Sequence, residues 1–241
     1  MSPADAAPRL AVYFAPRPAG ALHRFGSGWL GRDAVTGAAL PQPPVAGIAP
    51  ERLAAITASA RLYGFHATLK APFRLAAGCD EQGLIAAATA LAADIAPFDA
   101  PPLMLATIDG WKALVLAEPC PAMQALCDAM VTGLDPLRAP LSEAEMARRL
   151  AGGGLGPRER ALLDRWGYPY VLDAFRFHMT LAGRTGDDER ALLDAALAPL
   201  VAPFAQSALR VDAVTVFRQP QAGAPFGAVA RIPLGAAIAD S

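Results

Sequence analysis

Apolar positions along the 241-residue chain change period several times, and each change marks an element. Residues 10–16 (LAVYFAP) are a short apolar run closed by Pro16, which predicts a strand. Residues 17–50, rich in Pro and Gly, read as irregular. Pro50-Glu51 then opens a helix (PERLAAITASARL), with proline in the first turn, where its missing N–H has no helical partner to lose. The stretch YGFHATLKAPF, 63–73, reads as a strand halted by Pro72, and 80–95 as a helix between Gly78 and Pro97. Across 102–118 two apolar runs flank Asp109-Gly110, a dipeptide that accepts positive φ and predicts a tight hairpin.

The second half repeats this vocabulary. Residues 121–134 carry apolar side chains at helical spacing. In LSEAEMARRL, Ser142 stands three residues before Glu145, the pattern of a capping box. GGGLG at 152–156 lacks a following Lys-Ser/Thr, so it reads as a flexible joint rather than a phosphate loop. A helix is predicted over 157–166, a strand over AFRFHMTLAGR (174–184), a helix over 188–200, and strands over 209–217 and 226–234. Two similar halves of strands, helices and hairpins predict one α+β domain over 1–241 with antiparallel sheets. No Gly-x-Gly-x-x-Gly follows a strand, which leaves a dinucleotide fold without support.

Composition narrows the function. Hydrophobic residues are 54% and charged residues 18%, enough for a sizeable core. The longest apolar stretches, such as 84–93, stop well short of the roughly 20 residues of a membrane span. The N-terminus has no basic start followed by an apolar run, so no secretory signal is expected and a cytoplasmic, membrane-free protein is. A net charge of −1 with scattered Lys and Arg argues against gripping duplex nucleic acid and leaves a small nucleotide or an end. Cys79, Cys120 and Cys127 form no Cys-x-x-Cys and read as structural thiols. With three histidines they offer no four-ligand zinc spacing, so no metal is expected.

Two of the three histidines occur in one phrase, Phe-His-x-Thr-Leu: FHATL at 65–69 and FHMTL at 177–181. In a strand, alternate side chains point to opposite faces. Phe65, Ala67 and Leu69 therefore share one face, and His66, Thr68 and Lys70 the other. Likewise Phe177, Met179 and Leu181 oppose Arg176, His178, Thr180 and Arg184. Each strand thus pairs an apolar face with an imidazole, a hydroxyl and cations. Imidazoles titrate near neutrality, so one can take a proton while the other gives one. Hydroxyls and cations suit phosphoryl oxygens. Two such arms fit in-line displacement at a strained cyclic phosphodiester, without a metal. The period-two reading leaves open which histidine gives the proton.

The paired motifs HATL and HMTL resemble those of the 2H phosphoesterase superfamily, which includes RNA 2′,3′-cyclic phosphodiesterases. The flanks YGFHATLKAPF, RWGYPYVLDAFRFHMTL and VFRQPQAGAPF are similar to a bacterial branch associated with phosphonate metabolism. The resemblance implies a two-lobed, pseudo-symmetric fold with antiparallel sheets lining a central cleft and helices outside. It implies a hydrolase needing no cofactor, with His66 as general acid, His178 as general base, and Thr68 and Thr180 on the phosphate. The segment 138–168 is then a helical insertion. The expected substrate is a small phosphorylated one, a nucleoside 2′,3′-cyclic or ribosyl cyclic phosphate; the alternative is a non-catalytic module holding phosphates or RNA ends. Lys70, Arg176 and Arg184 are candidate phosphate contacts. Tyr13 is a candidate for the cleft wall, although a packed tyrosine fits its strand better. Tyr63, Tyr168 and Tyr170 are candidates for stacking on a base or sugar, and His23, without a Thr two residues on, reads as incidental.

Overall fold

The computed structural model describes residues 7–151 and 154–235. In chain order its elements are β1 (Arg9–Phe14), α1 (Ala21–Leu30), α2 (Pro50–Tyr63), β2 (Ala67–Phe73), α3 (Glu81–Ala93), β3 (Phe98–Ala100), β4 (Leu103–Ile108) and β5 (Trp111–Leu116). There follow α4 (Pro121–Gly133), α5 (Glu143–Ala151), α6 (Pro157–Trp166), β6 (Met179–Ala182), α7 (Asp187–Val201), β7 (Leu209–Val211), β8 (Ala213–Gln219) and β9 (Gly227–Pro233). The fold is α+β. Seven strands form one antiparallel sheet in the order β4-β5-β6-β2-β1-β8-β9, and β3 pairs with β7 in a second.

The order contains a repeat. The run β1-α2-β2-α3-β3-β4 matches β5-α4-β6-α7-β7-β8, with β9 added at one edge. Equivalent strands meet at the centre: β2 pairs with β6 through Ala67 and Met179, and β3 with β7 through Asp99 and Arg210. Helices cross between the halves, α2 packing on β6 and α4 on β2. A pseudo-twofold axis therefore passes between Ala67 and Met179.

One face of the large sheet carries Val12, Phe14, Ala67, Leu69, Leu114, Met179, Leu181, Val214 and Val216, all buried in the main hydrophobic core. Truncating such a side chain, as in Leu69→Ala, costs about 2–5 kcal/mol. The opposite face holds a smaller cluster of Ala11, Tyr13, Ala15, Ala34, Phe217 and Phe226.

Both central strands bulge at the same point. Thr68 pairs with Tyr13 but Lys70 with Val12, so Leu69 is the extra residue. Thr180 pairs with Ala113 but Ala182 with Lys112, so Leu181 is the equivalent extra residue. Each bulged carbonyl takes a side-chain donor from the helix layer: Leu69 O accepts from the Cys127 thiol at 3.3 Å, and Leu181 O from the Trp29 indole at 2.9 Å.

Several boundaries differ from the sequence pattern. The stretch 17–50 contains α1, whose Trp29 and Leu30 join the core. Pro72 sits inside β2 instead of ending it; the pairing with β6 is confined to Ala67, so its missing N–H breaks no ladder there. The strand read over 174–184 is ordered as β only from Met179 to Ala182. The strand read over 209–217 divides at Asp212 between two sheets. The hairpin at Asp109 (φ 48°) and Gly110 (φ 86°) and the reciprocal Ser142–Glu145 cap form as read. The joint read at 152–156 includes Gly152 and Gly153, which lie outside the described residues. Among the described residues no helix is long and apolar enough to cross a membrane.

Candidate functional site

His66 and His178 each stand one residue before a central strand. Because Ala67 and Met179 point into the core, His66, Thr68, His178 and Thr180 emerge together on the opposite face, all half-buried. Extending the Ala67–Met179 register by one residue each way sets Thr68 beside His178 and Thr180 beside His66. The four side chains form a compact group across the pseudo-twofold axis.

The two imidazoles are held in the same way. Nδ1 of His66 lies 2.9 Å from Gly64 O, and Nδ1 of His178 lies 2.8 Å from Arg176 O. A carbonyl only accepts, so each Nδ1 carries a hydrogen and each Nε2 keeps its lone pair for the site. Nε2 of His66 accepts from the Thr68 hydroxyl at 3.2 Å. Gly64 makes its half of this possible. Its φ is +81°, and a Cβ there would stand 2.5 Å from Ala34 Cβ.

Their surroundings differ. Tyr13, fully buried, stacks on His66 with ring centroids 3.7 Å apart. Burial lowers the His66 pKa from 6.5 to about 4; the Gly64 hydrogen bond opposes the shift and nearby His178 adds to it. His178 meets Trp111 edge-on at 4.9 Å, and burial lowers its pKa as well. A pocket of about 430 Å³ opens over Thr68 and His178, bordered by Trp111, Tyr168, Arg176 and Arg184. The residues lining it do not include His66.

The other sequence candidates fall in different places. Lys70 is turned to the helix side by the Leu69 bulge, where it is buried and donates to Val131 O at 2.9 Å, near Asp135. Burial brings its pKa down to about 8. This corrects the strictly alternating picture: one extra residue moves Lys70 off the histidine face. Arg176 and Arg184 are exposed at the pocket rim; nearby in sequence, Asp173 is bound by Arg158, and Asp212 is bound by Arg17 and Arg231. Tyr63 lies 6.3 Å from His66, and Tyr168 lines the pocket against Tyr170, 5.7 Å away. Tyr13 is packed, as its strand suggested. His23 lies 3.3 Å from Asp33, away from the site. Trp111 was not singled out in the sequence; only the long-range pairing of β5 with β6 brings it to His178.

The class defined by fold and site is an α+β protein presenting two His-x-Thr arms on one sheet face. More particularly, the chain belongs to the family described as "Protein of unknown function (DUF1045)", whose model matches residues 68–227. It is also similar to two proteins named ribose 1,5-bisphosphate phosphokinase PhnN. One, from Janthinobacterium sp. (strain Marseille), is 39% identical over 229 residues, covering 93% of this chain and 50% of the relative. The other, from Laribacter hongkongensis (strain HLHK9), is 36% identical over 219 residues, covering 90% of this chain and 50% of the relative. The chain thus spans about half the length of these curated relatives.

Proposed function

We propose that the chain is a cyclic phosphodiesterase of the 2H type, opening a small ribosyl or nucleoside cyclic phosphate without a metal. The observation that carries this reading is the matched pair of Nδ1–H-locked histidines, each with a threonine, across the pseudo-twofold axis. The internal repeat supports a two-lobed ancestry, with each half supplying one arm.

In the proposed reaction, water entering through the open pocket gives a proton to Nε2 of His178 as its oxygen bonds to phosphorus. The ring P–O bond breaks, and the departing sugar oxygen takes a proton from Nε2 of His66. Thr68 and Thr180 donate to the non-bridging oxygens. His66 is neutral in the empty site, so it must acquire its proton with the substrate; a phosphodiester anion beside Nε2 favours that charge. The relatives' name favours a ribose carrying an anomeric phosphate, and hence a place in phosphonate metabolism. A phosphokinase of the phosphate-loop type needs Gly-x-x-x-x-Gly-Lys-Ser/Thr. This chain's two lysines follow Leu69 and Trp111 and offer no such loop. Phosphate hydrolysis on the same sugar, alongside a kinase half, accounts for both observations.

The test is a screen of nucleoside 2′,3′-cyclic and ribosyl 1,2-cyclic phosphates with purified protein. Turnover lost in both His66→Ala and His178→Ala supports the reading. Binding without turnover would instead favour a phosphate-holding module, and transfer from ATP to ribose 1,5-bisphosphate by this chain alone would overturn the assignment.

A further inference from the structure

Beside His66 the structure gathers phenolic hydroxyls and guanidiniums around the Phe226 ring. Tyr13 is fully buried and, among the described residues, its hydroxyl has no hydrogen-bond partner. It lies within electrostatic reach of Tyr63, Arg9 and Tyr168. The Phe226 ring forms the floor: Tyr63 stacks on it at 5.0 Å, Tyr13 lies 6.4 Å away, and the Arg9 guanidinium sits over it at 5.5 Å. Arg9 donates one N–H to Gln219 Oε1, 2.7 Å away, and among the described residues its fork makes no other hydrogen bond. Arg149 of α5 covers Tyr168 at 5.3 Å and lies within electrostatic reach of Glu145, Arg9 and Tyr63. The Glu145 carboxylate, whose charge reaches Arg149, accepts hydrogen bonds from Arg74 and from the Ser142 N–H. The Arg9 and Arg149 guanidiniums repel each other across the phenolic hydroxyls, Glu145 offsets only part of that charge, and an anion bound between them would relieve the rest.

We propose that Arg9, Arg149, Tyr13, Tyr63 and Tyr168 form a second anion subsite, which holds a phosphomonoester borne by the same substrate whose cyclic phosphate lies between the histidines. Tyr168 lines the pocket over His178 and also lies under Arg149, which makes it the link between the two regions. The helical insertion then supplies specificity: α5 exists in this chain to bring Arg149 over the site. Neither arginine belongs to the His-x-Thr phrases.

This inference rests on the cyclic-phosphate reading, and its test separates the two. kcat/KM is measured for a ribosyl cyclic phosphate with and without a phosphomonoester at the far end of the sugar. The wild type should prefer the doubly charged substrate by about a hundredfold, and Arg149→Gln and Arg9→Gln should each cut that preference about tenfold or more, the scale of a charged hydrogen bond. Arg148→Gln, one residue along α5, should leave the preference intact. A preference near one, or equal losses on both substrates, would overturn the subsite. If neither substrate turns over, the catalytic reading fails and calorimetry with inorganic phosphate decides the subsite alone. Affinity at least tenfold weaker in Arg149→Gln than in Arg148→Gln upholds it, and equal affinity overturns it.

Discussion

Tyr13 lies nearly flat on His66, 25° between ring planes, from a neighbouring strand in which it pairs with Thr68. The stack removes one face of the imidazole from water and fixes it against the Gly64 carbonyl. Tyr13→Phe keeps the ring and should leave the His66 pKa where it is. Tyr13→Ala opens the site, so the His66 ring resonances followed by NMR should titrate closer to 6.5, with a stability loss of about 3–5 kcal/mol. A His66 pKa unmoved by Tyr13→Ala would show that other groups desolvate it.

The paired arms predict a shared loss. His66→Ala and His178→Ala should each lower kcat about 10²–10⁴-fold while circular dichroism stays unchanged. The double variant should be little worse than either single one, because acid and base act in one step. EDTA should have no effect; inhibition relieved by added metal would point to a cation in the reaction.

Acid stability carries a signature of His66. Its folded pKa, about 4, lies below the ordinary 6.5, so the unfolded chain binds the extra proton between these values. Stability from this group is full above pH 6.5 and falls as pH drops towards 4, by an amount on the order of 3 kcal/mol. Chemical denaturation at several pH values should show a smaller acid loss in His66→Gln than in the wild type. In kinetics the same lowered values mean that the protonated acid becomes scarce as pH rises, so kcat/KM should decline steadily above pH 6.5.

Gly64→Ala tests the lock on the imidazole. Positive φ and the contact with Ala34 both oppose a side chain, and the backbone penalty alone is about 1 kcal/mol or more. Activity should fall further than stability explains, because the carbonyl that orients His66 moves. An active, equally stable variant would show that Gly64 is replaceable.

Lys70→Met provides the contrast. Lys70 donates to Val131 O on the helix side, so the change should leave kcat/KM within about threefold while altering the melting temperature. A hundredfold loss of activity would mean that the ammonium reaches the phosphate after all.

How much of this was legible in the chain depended on range. The Phe-His-x-Thr-Leu repeat, the Asp109-Gly110 turn and the Ser142–Glu145 cap are local, and their residues indicate the geometry found. The alternation rule placed both histidines and threonines on one face but failed at Lys70, because a bulge is set by the partner strand. Trp111, Arg9 and Arg149 carried no local signal, since strand pairing and the packing of α5 bring them together from distant parts of the chain. Helix α1 was hidden because His23, Gly26, Ser27 and Gly28 dilute its apolar stripe, and tertiary packing of Trp29 and Leu30 compensates.

The single register pair between Ala67 and Met179 is the narrowest ladder in the large sheet, yet it lies where the two histidines must meet. The seam is spanned by α2 lying over β6 and α4 over β2, each rooted in the opposite repeat. Prying the arms apart would therefore mean lifting two helices out of a common core, which leaves sliding along the seam as the cheaper distortion. A ligand bridging both histidines would act as a clasp on that seam, and slowed amide exchange at Ala67 and Met179 would be its imprint.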